Sequence, residues 1–94
     1  MTGAGAIDPD AQHVSLGDAS YAVTLSAPSL PAIYKVIQAP LISGGHSITM
    51  ALTNVVVSGS TPTTATWNAT RQSLVLVSLT DKWLIISNFG VTLS

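Results

Sequence analysis

The groups in this chain able to move a proton, attack a carbonyl or hold a metal are few. There are two histidines, His13 and His46, and four aspartates, Asp8, Asp10, Asp18 and Asp81, with no glutamate and no cysteine in 94 residues. Zinc is usually held by four Cys, His or carboxylate ligands at short, regular spacings. His13 and His46 are far apart in the sequence, and neither has a second His or an acid at ligand spacing. A threefold axis that gathered three copies of one histidine is the arrangement that would still make a metal site. The serines are many, but none sits in the Gly-x-Ser-x-Gly turn that exposes a nucleophile. Gly3-Ala4-Gly5-Ala6 has neither the preceding strand nor the following helix of a phosphate loop. An enzyme built from this chain has to gather at least two of His13, His46, Asp18 and Asp81 in one pocket. We therefore expect no catalytic residue, no metal ligand and no cofactor.

The elements that would have to position such residues are strands. From residue 20, Tyr21, Val23 and Leu25 alternate with Ala22, Thr24 and Ser26. Later Ile48, Met50 and Leu52 alternate with Thr49, Ala51 and Thr53. This period of two marks half-buried strands. Further strands are expected over residues 32–39, 55–57, 63–67, 73–79, 82–87 and 91–93, with loops at Pro28 to Pro31, Ser43-Gly44-Gly45 and Ser58 to Pro62. No window of helical length shows the i, i+3, i+4, i+7 spacing of an amphipathic helix. The sequence predicts an all-β fold of about eight short antiparallel strands in a small sandwich or barrel, jelly-roll-like, over residues 13–94. An interlaced trimeric β-prism would give the same alternation. Residues 1–12, with Asp8-Pro9-Asp10, are expected to form an extended arm, because a residue before proline avoids helical geometry. The competing reading of this segment is a frayed terminus. A weak echo, Val23-Thr24-Leu25, Ile48-Thr49-Met50 and Leu74-Val75-Leu76, is what any fold of short strands would show.

Composition narrows the class. Three basic and four acidic side chains leave a net charge of -1, while 47% of residues are hydrophobic. Lys35, Arg71 and Lys82 are scattered, so clustered phosphate contacts to nucleic acid and attraction to an anionic membrane are not expected. The long uncharged stretch over residues 36–70 is interrupted by Pro40, Gly44, Gly45, Gly59 and Pro62 and does not read as a spanning helix. The first residues lack the basic and apolar regions of a secretory signal, so the chain is expected to stay where it is made. A nearly neutral surface offers little repulsion between copies, so an oligomer or assembly component is expected. Trp67 and Trp83 read as core or subunit-interface residues ahead of sugar-stacking platforms. Ile7 is a candidate anchor for the arm on a neighbouring surface. Together, Ile7, Trp67, Trp83 and Phe89 are the candidate interface residues.

Thr66-Trp67-Asn68-Ala69, Gln72-Ser73-Leu74-Val75-Leu76 and the run from Lys82-Trp83-Leu84-Ile85-Ile86 to Asn88-Phe89-Gly90-Val91-Thr92-Leu93 resemble the C-terminal part of small β-rich structural proteins of tailed-bacteriophage virions. At Thr70-Arg71-Gln72 this chain departs from the Gly-containing turn common in that group. The resemblance implies a non-enzymatic, commonly trimeric virion protein. A capsid decoration or cement protein, bound to the major capsid protein on the outer shell after assembly in the host cytoplasm, is one form. A tail-fibre, spike or head-fibre module that binds a receptor or glycan is the alternative. A chain with only a short arm ahead of one β domain and no coiled-coil heptads reads as a whole small protein, which favours decoration.

Overall fold

The computed structural model describes residues 3–8 and 11–94. Pro9 and Asp10, on which part of the arm expectation falls, lie outside the described residues. Ten strands are present and no helix among the described residues: β1 (Gly5–Ala6), β2 (His13–Ser15), β3 (Tyr21–Leu25), β4 (Tyr34–Ala39), β5 (Ile48–Leu52), β6 (Val55–Val56), β7 (Thr64–Trp67), β8 (Gln72–Ser78), β9 (Trp83–Phe89) and β10 (Thr92–Leu93). They form two five-stranded sheets, ordered β1-β3-β5-β7-β10 and β2-β4-β8-β9-β6. The sandwich reading holds, and both sheets are completed within one chain.

The antiparallel expectation is corrected. β1 with β3, β3 with β5, β2 with β4 and β6 with β9 pair in parallel, while β5 with β7, β7 with β10, β4 with β8 and β8 with β9 are antiparallel. The reason is the route of the chain. From β1 to β6 each connection arches from one sheet to the other, and two successive arches return the chain to its first sheet running in its original direction. The strand in the opposite sheet takes the place of the crossover that parallel neighbours need. Only β8 and β9 follow each other within one sheet. The echo triplets do not align: Val23 pairs with Met50 and Tyr21 with Ile48, two residues out of the echo register. Leu74 belongs to the other sheet.

The arches force unusual backbone at single residues. Ala32, Asn54, Ser58 and Arg71 all have positive φ, between 43° and 68°, a region unfavourable for residues with a Cβ. Arg71, at the β7–β8 corner, has a φ of 68°, a conformation that glycine adopts without strain.

The core lies between the sheets. Val23, Leu25, Ile48, Met50, Ala65 and Trp67 from one sheet meet Ile37, Leu74, Leu76, Trp83 and Ile85 from the other, all buried. The arm expected at the N-terminus is part of this structure. Ile7 N–H donates to Thr24 O at 2.8 Å and its side chain is buried against the chain's own core, not a neighbour's. The next segment crosses to the second sheet, where β2 extends it beside β4.

Lys35 explains how that crossing is held. On β4 the buried face is Lys35, Ile37 and Ala39, so the lysine points inward. Its Nζ donates to Asp8 O at 2.9 Å and to Ala11 O, and lies 5.5 Å from the centre of the Trp83 ring. A buried ammonium is tolerated only when its donors are satisfied. Here, carbonyls of the crossing segment and an aromatic face meet that need.

Candidate functional site

Of the four polar residues singled out in the sequence, the fold brings two together. Asp18 lies between β2 and β3, and Ser43 and His46 lie between β4 and β5. Ser43-Gly44-Gly45-His46 is a tight turn closed by His46 N–H to Ser43 O at 3.0 Å, with Gly44 and Gly45 at positive φ. The Asp18 carboxylate clamps this turn. It accepts Ser43 N–H at 2.8 Å and Ser43 Oγ at 2.5 Å, and sits 2.9 Å from His46 Nδ1. Those hydrogen bonds, led by the Ser43 hydroxyl and then His46, hold the carboxyl at about 2, well below its usual range.

The arrangement differs from a nucleophilic triad in one decisive bond. Ser43 Oγ is directed at the carboxylate and not at the imidazole, so the histidine does not activate it. His13 is exposed on the edge strand β2, and Asp81 is exposed between β8 and β9. A cleft of about 310 Å³ gathers Asp81 and Lys82 with Asn54, Thr61 and Thr63, without either histidine or Asp18. Among the described residues no group of three His or Asp side chains is placed to hold a metal ion.

The two tryptophans are fully buried inside the chain's own core. Neither presents a ring to a sugar or to another subunit, which corrects their assignment to an interface. Trp83 Nε1 donates to Ser26 O at 2.9 Å. Trp67 Nε1 is buried without a hydrogen-bond partner. Of the four candidate interface residues, Phe89 is the one that is exposed, at 66%.

The residues that carry the family resemblance build two turns and the bridge between them. Gln72 Oε1 accepts the N–H groups of Asn68 and Ala69 at 2.7 and 3.0 Å, while its Nε2 donates to Gly90 O. Asn88 bonds Val91 with both side-chain polar atoms, each at 2.9 Å. Gly90 has φ 79°, and a Cβ there would stand 3.2 Å from the Gln72 side chain. Trp-Asn-Ala and Asn-x-Gly-Val-Thr therefore encode a tertiary joint between the β7–β8 and β9–β10 connections.

What remains outward is two broad sheet faces without Lys, Arg or Asp. On the first sheet the outward positions of β3, β5 and β7 are Ala22 and Thr24, Thr49 and Ala51, and Thr64 and Thr66, and no side chain there is larger than threonine. On the second sheet the register aligns Tyr34 with Val77 and Leu84, and Val36 with Val75 and Ser87. The sequence alternation foresaw strands with two different faces. The chain matches no protein-family model and no curated protein at a significant level of similarity.

Proposed function

We propose that this chain is a non-enzymatic structural protein of a tailed-bacteriophage virion, a decoration or cement protein that sits on the outer capsid shell as a homo-oligomer and stabilises it. The observation that carries the reading is the pair of charge-free sheet faces. Asp18, Arg71, Asp81 and Lys82 lie in the connections, and Lys35 is turned inward. Burying faces of this kind against neighbouring protein desolvates no unpaired charge. Two such faces on opposite sides of one thin sandwich suit a module held between neighbours, whose weak contacts symmetric repetition turns into avidity. The motifs that resemble those of virion proteins are used here for folding, which fits a scaffold better than a catalyst.

The glycan-binding alternative loses its main support, because both tryptophans are enclosed. The shell reading is tested by adding purified protein to capsids that lack it. Binding to expanded shells, with a rise in their disruption temperature, is expected, and absence of binding sinks the proposal. Copy number in a purified particle separates the two virion roles: on the order of hundreds for a shell protein repeated by capsid symmetry, and few for a tail component.

A further inference from the structure

We infer that the outward face of the β4-β8-β9 sheet is the surface by which copies of this chain associate, its occupant being the same face of a second copy. Tyr34, Val36, Val75, Val77, Leu84 and Phe89 share this face, as the strand register and the alternation of burial require. Tyr34 is 60% exposed and Phe89 66%, whereas the valines and Leu84 between them are half-buried. The face thus has a flat aliphatic centre with large rings standing at its margins. Gln38, Ser73 and Ser87 provide a polar border, the anatomy of a protein–protein interface.

Three features point to a copy of this chain as the occupant. The face carries no Asp, Lys or Arg, so it offers a charged partner nothing to read, while two identical faces meet without repulsion. Its size is also suitable. The six, seven and seven residues of β4, β8 and β9, at ~4.8 Å spacing and ~3.3 Å rise, give roughly 320 Å² of projected face. Side-chain relief adds to this and brings it towards the ~600 Å² per partner at the small end of standard interfaces. Finally, sheets pack face to face through interdigitated aliphatic side chains, and the half-buried valines on neighbouring strands supply matching ridges. At β9 the face is bounded by a bulge. Val75 pairs with Ser87 and Leu76 with Ile85, which leaves Ile86 unpaired and 49% exposed. The edge strand β6 pairs only with Trp83 and Leu84 of β9, and a bulge in the part of β9 beyond them discourages sheet extension at this side, so association through the face is favoured there over edge-to-edge pairing.

This inference deepens the shell-protein reading by naming the self-association surface, yet its test needs no capsid. The molar mass of the purified full chain is measured by light scattering at micromolar concentration, for the wild type, Tyr34→Glu, Val77→Lys and Thr66→Lys. The wild type and Thr66→Lys, altered on the opposite sheet, are expected to be discrete oligomers. Tyr34→Glu and Val77→Lys are expected to be monomers with an unchanged far-ultraviolet dichroism spectrum. If Val77→Lys does not fold, the strongly exposed Tyr34 position decides. A monomeric wild type overturns the inference, as does an oligomer that both face variants leave intact. Failure of capsid binding by an intact oligomer would instead count against the shell reading alone.

Discussion

Two indole N–H groups, both inside the same core, differ in one bond and should differ in what they contribute. Trp83 Nε1 reaches the Ser26 carbonyl, whereas Trp67 Nε1 has no partner. Losing the Trp83 donor removes a bond worth ~0.5–1.5 kcal/mol, while losing an already unpaired buried donor relieves a desolvation penalty. Trp83→Phe is therefore expected to lose about 1–2 kcal/mol more stability than Trp67→Phe, as read from urea unfolding midpoints. Equal losses would show that ring packing alone matters. Asp18 supplies a pH dependence. Its carboxyl titrates at about 2 in the folded chain against an ordinary value of 3.8. The stabilisation it gives is thus present above 3.8 and is lost as pH falls from there towards about 2. The melting temperature of the wild type should fall more steeply through this window than that of Asp18→Asn. Parallel curves for the two proteins would contradict the clamp.

At the scale of elements, the N-terminal segment and the connections hold the two sheets in place. β1 and β2 are short, and each lies at the edge of a different sheet. The stretch between them is tied by the two carbonyls that Lys35 Nζ engages. Lys35→Met keeps an unbranched side chain beside Trp83 but removes the donors, so the two carbonyls lose their tie. Hydrogen exchange of Ile7, Val36 and Leu16 amides, which bond Thr24 O, Gln12 O and Gln38 O, should accelerate in this variant. The β8 and β9 amides, deep in the second sheet, should remain protected. Uniform acceleration across both groups would mean that Lys35 supports the whole core and not the crossing. The sequence showed Lys35 within a strand but could not tell which way it faced. The alternation placed Tyr34, Val36 and Gln38 on one face and Ile33, Lys35 and Ile37 on the other, and hydropathy alone does not choose between them. Burial of the lysine is decided by carbonyls of a segment more than twenty residues away.

For the whole molecule, the order of strands has a kinetic consequence. Most pairings join strands that are not sequence neighbours, and only β8 and β9 form a local hairpin. Each long-range pairing must close a loop before its contacts form, which slows folding. Refolding after dilution from urea is expected on the millisecond-to-second scale typical of all-β domains with non-local pairing. A microsecond phase that accounts for the whole amplitude would be inconsistent with this topology. The same order leaves the two large faces outward, so the surface available for assembly is a property of the sandwich and not of any segment.

Local patterning in the sequence determined eight of the ten strands, β3 to β10, whereas β1 and β2 lie outside every alternating run it showed. Tyr21–Leu25 and Ile48–Leu52 are found where the alternation placed them, and the expected strands in the C-terminal third shift by only a residue or two, because a period of two is imposed by the pleat itself. It also determined the scarcity of ionisable groups, which confined any chemistry to a handful of side chains. Tertiary structure decided the rest: the parallel pairings, the inward lysine, the enclosure of both tryptophans and the joint at Gln72. Each of these depends on which strand lies beside which. Alternation states that a side chain faces one way or the other, but only the arches from sheet to sheet decide what it then meets.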